Sequence, residues 1–63
     1  MNKYFYDGPV KEFSMIVNPR WQGSTYAVSE QKARSNLVYQ YKITHGKAPS
    51  TKITLPGKLS MDI

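Results

Sequence analysis

At 63 residues and 7.2 kDa the chain suffices for one small domain, and a chain of this size buries only roughly 60% of the surface it exposes when unfolded. Nine Lys and Arg against four Asp and Glu leave a net charge of +5, and cysteine is absent, which excludes disulfide frameworks, thiolate metal sites and cysteine nucleophiles. No apolar run exceeds three residues, far short of the roughly 20 that span a bilayer, and the start of the chain has no apolar stretch of signal-peptide length. The expectation is therefore a single domain over residues 1–63, cytoplasmic, with no membrane partner.

Tyr4-Phe5-Tyr6 has strong strand preference, and Asp7-Gly8-Pro9 reads as the turn that closes a first strand at Tyr6. From Val10 to Val17 the pattern alternates, with Phe13, Met15 and Val17 on one side and Glu12, Ser14 and Ile16 on the other, which predicts a second strand. Asn18-Pro19-Arg20 is a further turn signal, and a third strand follows over Trp21 to Ala27. Its odd positions, Trp21, Gly23, Thr25 and Ala27, are one large residue and three small ones, as suits a surface pressed on a helix. Its even positions, Gln22, Ser24 and Tyr26, carry polar tips and are placed outward. Phe13, Met15, Trp21, Leu37 and Tyr41 are assigned to the core.

Ser29 is a good amino-terminal cap for a helix beginning at Glu30, whose carboxylate suits the positive end of the helix dipole. Ala33, Leu37 and Tyr41, joined by Gln40 and Thr44, form its narrow apolar side, and Gly46 is the natural residue just past its end. Beyond it, Lys47-Ala48-Pro49-Ser50 has linker composition and Thr51 to Leu55 alternates like a short strand. Pro56-Gly57 is another turn, after which Leu59, Met61 and Ile63 alternate again. These patterns predict an α+β fold: a three-stranded antiparallel sheet packed against one helix over 3–45, with 46–63 forming a linker and a short carboxyl-terminal strand or extended tail. Tyr39 and Ile43 lie opposite Leu37 on the helix and need a cover, for which the tail is the nearest candidate.

The catalytic inventory is thin. His45 is the single histidine and sits in the last turn of the predicted helix, while the acids Asp7, Glu12, Glu30 and Asp62 are scattered, so no serine triad or carboxylate pair assembles. One histidine and no cysteine leave too few ligands for structural zinc, and Gly57-Lys58 lacks the upstream glycine and the following hydroxyl of a phosphate loop. The reading is a non-enzyme with no cofactor and no metal.

What remains is surface chemistry. The net positive charge draws a chain toward polyanions, and the outer face of the predicted sheet sets amide and aromatic groups among cations. Lys11 and Arg20 would neutralise phosphates, Gln22 would pair with an adenine edge, and Ser24 and Tyr26 would contact bases or backbone. Duplex DNA is the favoured partner, since a narrow β-ribbon fits the major groove. The rival reading is an adaptor or inhibitor that binds a host protein through Tyr39, Ile43, Leu59, Met61 and Ile63.

The strand order, together with the stretch Trp21-Gln22-Gly23-Ser24-Thr25-Tyr26-Ala27-Val28-Ser29-Glu30-Gln31-Lys32-Ala33, resembles the sheet-and-helix DNA-binding modules of the AP2 type. It also resembles the arm-binding domains at the amino termini of mobile-element integrases. In those families an aromatic-bearing strand leads into an acidic-capped, alanine-containing helix, and the exposed sheet enters the major groove. The resemblance covers residues 3–45, lacks the glycine-rich strand turns of the AP2 type, and has no counterpart for the tail beyond Gly46. It implies DNA contacts at Lys11, Arg20, Gln22, Ser24 and Tyr26. The Tyr-Phe-Tyr-Asp-Gly-Pro start and the Ser-Glu-Gln-Lys-Ala-Arg-Ser-Asn-Leu helix are also similar to small proteins of phages and mobile elements of Gram-positive bacteria.

Overall fold

A computed structural model of the chain describes residues 1–62, with Asp62 described by its backbone alone. Two long strands, β1 (Asn2–Glu12) and β2 (Met15–Ala27), form an antiparallel hairpin, followed by the helix α1 (Glu30–Thr44) and two short strands, β3 (Ile53–Thr54) and β4 (Leu59–Asp62). β1 is central: β2 pairs along one side of it, while β3 and β4 pair end to end along the other, all antiparallel. The α+β class, the single packed helix and the short carboxyl-terminal strand are as expected. Among the described residues no helix is long and apolar enough to cross a membrane.

The division of the hairpin differs from the expected one. Neither Asp7-Gly8-Pro9 nor Asn18-Pro19-Arg20 reverses the chain. The two segments lie opposite each other, where the pairing slips between Gly8 and Val10 and again between Val10 and Lys11. Each slip leaves one extra residue on β2, so the ladder absorbs both prolines in bulges, where a missing N–H costs no ladder bond. The reversal falls instead at Phe13-Ser14, between the paired Glu12 and Met15. Phe13 takes a φ of 56°, in the left-handed region that turns of this kind normally assign to Gly or Asn. The expected burial of Phe13 and Met15 is therefore wrong: at a hairpin tip beyond the reach of α1 they are 62% and 69% exposed.

The helix matches its sequence signals at both ends. Ser29 is extended and its hydroxyl accepts from the Lys32 N–H at 3.2 Å. At the other end Gly46 has a φ of 65°, its N–H donates to the Ile43 carbonyl, and the Lys47 N–H donates to the Lys42 carbonyl. That pair of bonds is a Schellman motif, which satisfies carbonyls the helix itself leaves open.

Ala33, Leu37 and Tyr41 are the buried side of α1. Leu37 and Tyr41 pack with Tyr6, Val10, Ile53 and Leu55, and Ala33 packs with Tyr4 and Ala27. Trp21 is half-buried over this core, edge-on to Tyr41 with ring centres 5.3 Å apart and tilted against Tyr6 at 6.3 Å. Its ring lies across Gly23, where a Cβ would come within 2.6 Å of the indole. The tail is tied down by side chains as well as by pairing: the Tyr6 hydroxyl donates to the Pro9 carbonyl at 2.6 Å and accepts from the Gly57 N–H at 3.0 Å, and the Arg34 guanidinium donates to the carbonyls of Leu55 and Gly57.

β2 lies at the edge of the sheet, with strand pairing on one side only. Its carbonyls at Ser24 and Tyr26 accept from the side-chain amides of Gln40, at 3.1 Å, and Asn36, at 3.5 Å, so α1 supplies donors to carbonyls that no further strand meets among the described residues.

Candidate functional site

The pleat assigns every residue of the hairpin to one of two faces. In β1, Tyr4 and Tyr6 turn toward α1, so Lys3, Phe5 and Asp7 turn away. In β2, Trp21, Gly23, Thr25 and Ala27 are half-buried or buried on the helix side, and Gln22, Ser24 and Tyr26 are exposed on the other. The sidedness expected for this strand is the observed one. The tail leaves the outer face open, because β4 extends the sheet sideways: Ser60 pairs with Phe5 and Leu59 with Tyr6.

Opposite positions bring the outer residues together. Lys3 faces Tyr26, Phe5 faces Ser24 and Asp7 faces Gln22. The Lys3 ammonium sits 5.2 Å from the centre of the Phe5 ring and 5.6 Å from that of Tyr26. Phe5 is 39% and Tyr26 61% exposed. Beside them, Phe5, Asp7, Gln22, Gly23 and Ser24 line an open depression of about 430 Å³ that also touches Tyr6.

The charges at the middle of this face are paired. Arg20 Nε donates to one oxygen of Asp7 at 2.7 Å and its Nη2 to the other at 2.8 Å, and Gln22 Nε2 donates to that second oxygen at 3.3 Å. The Arg20 hydrogen bonds, and then that of Gln22, hold the Asp7 carboxyl below its ordinary range, while Asp7 raises the already high pKa of Arg20. Two groups expected to meet phosphate and adenine are thus engaged with a carboxylate of the same face.

Gln22, Ser24 and Tyr26 stand in a row along β2, with Arg20 at its entrance. Lys11 is separate from them. It pairs with Ile16 and Thr54, eight positions from Lys3 along β1, which at strand rise is roughly 25 Å. Lys3, Phe5 and Asp7 are the residues that sequence reasoning missed. Alternation through Tyr4-Phe5-Tyr6 would have found them, since two inward tyrosines force their neighbours outward.

The residues of the rival surface are dispersed. Tyr39 and Ile43 are 66% and 60% exposed on α1, so the expected cover by the tail is not there: the tail pairs with β1 instead. Leu59 packs against both buried clusters, Met61 is exposed on β4, and Ile63 lies outside the described residues. His45 caps the helix with its ring stacked on Tyr41, ring centres 4.0 Å apart.

Comparison with family models, with curated proteins and with solved structures finds no match. A functional reading of this chain rests on its own residues.

Proposed function

We propose that the protein binds nucleic acid through the outer face of its sheet, in the cytoplasm and without catalysis. The observation that carries this reading is the meeting of Lys3, Phe5 and Tyr26 on one open face: two exposed rings and an ammonium that belongs to both. Aromatic faces take bases and ammonium groups take phosphates, which is the pairing of chemistries a nucleic-acid surface needs. The net charge of +5 adds a long-range attraction. Arg20 contributes less than its charge alone implies, because Asp7 neutralises it.

The test is a titration of labelled DNA at two salt concentrations, followed by a map of amide shifts. With two phosphate contacts, one at Lys3 and one at Lys11 further along β1, affinity falls about tenfold between roughly 50 and 200 mM salt. The shifts fall on residues 3–7, 11 and 20–26. A salt-insensitive complex, or shifts confined to α1, overturns the reading.

A second reading has one observation in its favour. Tyr39 and Ile43 are large, exposed and one helical turn apart on α1, as a protein contact requires. Shifts confined to these two positions on adding a partner protein would support it.

A further inference from the structure

We infer that the nucleic acid taken by the outer face is single-stranded, with successive bases stacked on Phe5 and Tyr26. This rests on the reading above and narrows it. Lys3 and Phe5 are two positions apart on one side of β1, and Tyr26 pairs with Lys3, so the two rings are diagonal neighbours across the hairpin. One lysine ammonium reaches both rings, and diagonal neighbours on a sheet face lie about 7–8 Å apart, a spacing on the order of one extended nucleotide step. The depression beside Phe5 continues the platform: it is lined by Phe5, Tyr6 and Gly23 together with the polar residues Asp7, Gln22 and Ser24.

A duplex suits this face poorly. Its sequence-reading edges are met by free guanidinium and amide groups, and here Arg20 and Gln22 both donate to Asp7. The carboxylate itself, held ionised at the centre of the face, opposes the two rows of phosphate that flank a groove. A single strand avoids that conflict by laying its bases on the rings and turning its phosphates outward toward Lys3.

The magnitudes agree. In the free protein Lys3 occupies the ring faces, a cation–π contact that at exposed sites contributes about 0.5–1 kcal/mol. Stacking a base on an aromatic side chain contributes about 1–3 kcal/mol. Bases therefore displace the ammonium, and the displaced ammonium is left beside the phosphate that follows.

The experiment is fluorescence anisotropy on the full chain with a labelled DNA strand of about 12 nucleotides, within the span that small single-strand-binding folds occupy, alone and annealed to its complement. The single strand binds at least tenfold more tightly than the duplex. Phe5→Ala and Tyr26→Ala each weaken single-strand binding by about ten- to a hundredfold, as loss of one stacked base requires. Tyr26→Phe and Phe5→Tyr keep the ring and retain affinity, which separates stacking from a folding defect. Tyr39→Ala removes an equally exposed ring from α1 and changes nothing. If the duplex binds as tightly as the single strand, or the two alanine variants bind like wild type, the single-strand inference is overturned while the nucleic-acid reading stands. If neither form of DNA binds, both are overturned.

Discussion

The Tyr6 hydroxyl accepts a hydrogen bond at 3.0 Å from the backbone N–H of Gly57, 51 positions further along the chain, while donating to the Pro9 carbonyl beside it. One phenol oxygen thus joins the part of β1 that faces the bulges of β2 to the loop that leads into β4. Tyr6→Phe removes that oxygen and nothing else, leaving the Gly57 N–H and the Pro9 carbonyl unpaired against a buried ring. The expected cost is about 1–3 kcal/mol in urea unfolding. Amide exchange at Gly57 and across β4 should accelerate first. Unchanged exchange there would show that the pairing of β4 with β1 holds the tail unaided.

Asp7 and Arg20 define a pH response. Arg20 depresses the folded-state pKa of Asp7, so their pairing contributes stability above the ordinary carboxyl value of 3.8 and loses it as pH falls through the depressed value. Both groups are solvent-exposed, and the contribution is correspondingly slight. The direct measurement is the Asp7 carboxyl resonance against pH. Its midpoint lies below 3.8 in the wild type and moves up in Arg20→Gln. An unmoved midpoint would mean that the pair does not persist in solution.

The hairpin tip is a place where the protein can be improved. Phe13 holds a φ of 56° and buries little, so its side chain loses more to the backbone geometry than it gains from packing. Phe13→Asn or Phe13→Gly should stabilise the fold by about 0.5–1 kcal/mol, relief of left-handed strain being partly offset for Gly by its unfolded-state entropy. Phe13→Val, whose branched Cβ tolerates that region worse, should destabilise it. Thermal unfolding of the three variants orders them.

Gly23 is held to its identity by an indole. A methyl group there would lie 2.6 Å from the Trp21 ring, which Tyr41 and Tyr6 bracket, so Gly23→Ala must push the ring or bend the strand. Overpacking of this kind costs about 1–3 kcal/mol. It also changes the tryptophan emission, since Trp21 is the sole indole in the chain. An alanine variant of wild-type stability would place the indole elsewhere.

The two sides of α1 should respond differently to truncation. Leu37→Ala empties a fully buried site and costs about 2–5 kcal/mol. Tyr39→Ser and Ile43→Ser change exposed residues and stay within about 0.5 kcal/mol of wild type. A large loss at Ile43 would reveal a cover over that side in solution.

Much of this architecture is legible from local signals. The cap at Ser29, the spacing of Ala33, Leu37 and Tyr41, and Gly46 past the helix end each encode a backbone requirement within a few residues, and each is met as read. The inward indole of Trp21 and the outward Gln22, Ser24 and Tyr26 follow from a period of two. The hairpin reversal was hidden for the opposite reason. Two segments rich in Gly, Pro and Asn face each other across the ladder and absorb their irregularity jointly, a long-range relation that neither displays alone. The true turn puts Phe13 at the position of positive φ, where Gly or Asn is usual. The outer face is half legible for the same reason: a first strand that ends at Tyr6 separates Asp7 from Gln22 and gives Lys3 and Phe5 no neighbours across the sheet. Without the pairing register nothing in the chain indicates that Arg20 is matched by a carboxylate.

The amides of Gln40 and Asn36 reach the carbonyls of Ser24 and Tyr26 along the margin of β2. An unguarded margin of thirteen residues would be a template on which another molecule's backbone could grow by cross-strand addition, the route to fibrils and exchanged hairpins. By lending two side-chain donors to that margin, the helix turns aside a would-be neighbour in addition to closing the core. Replacing both amides with leucine would leave the fold's interior untouched while inviting self-association in concentrated solution.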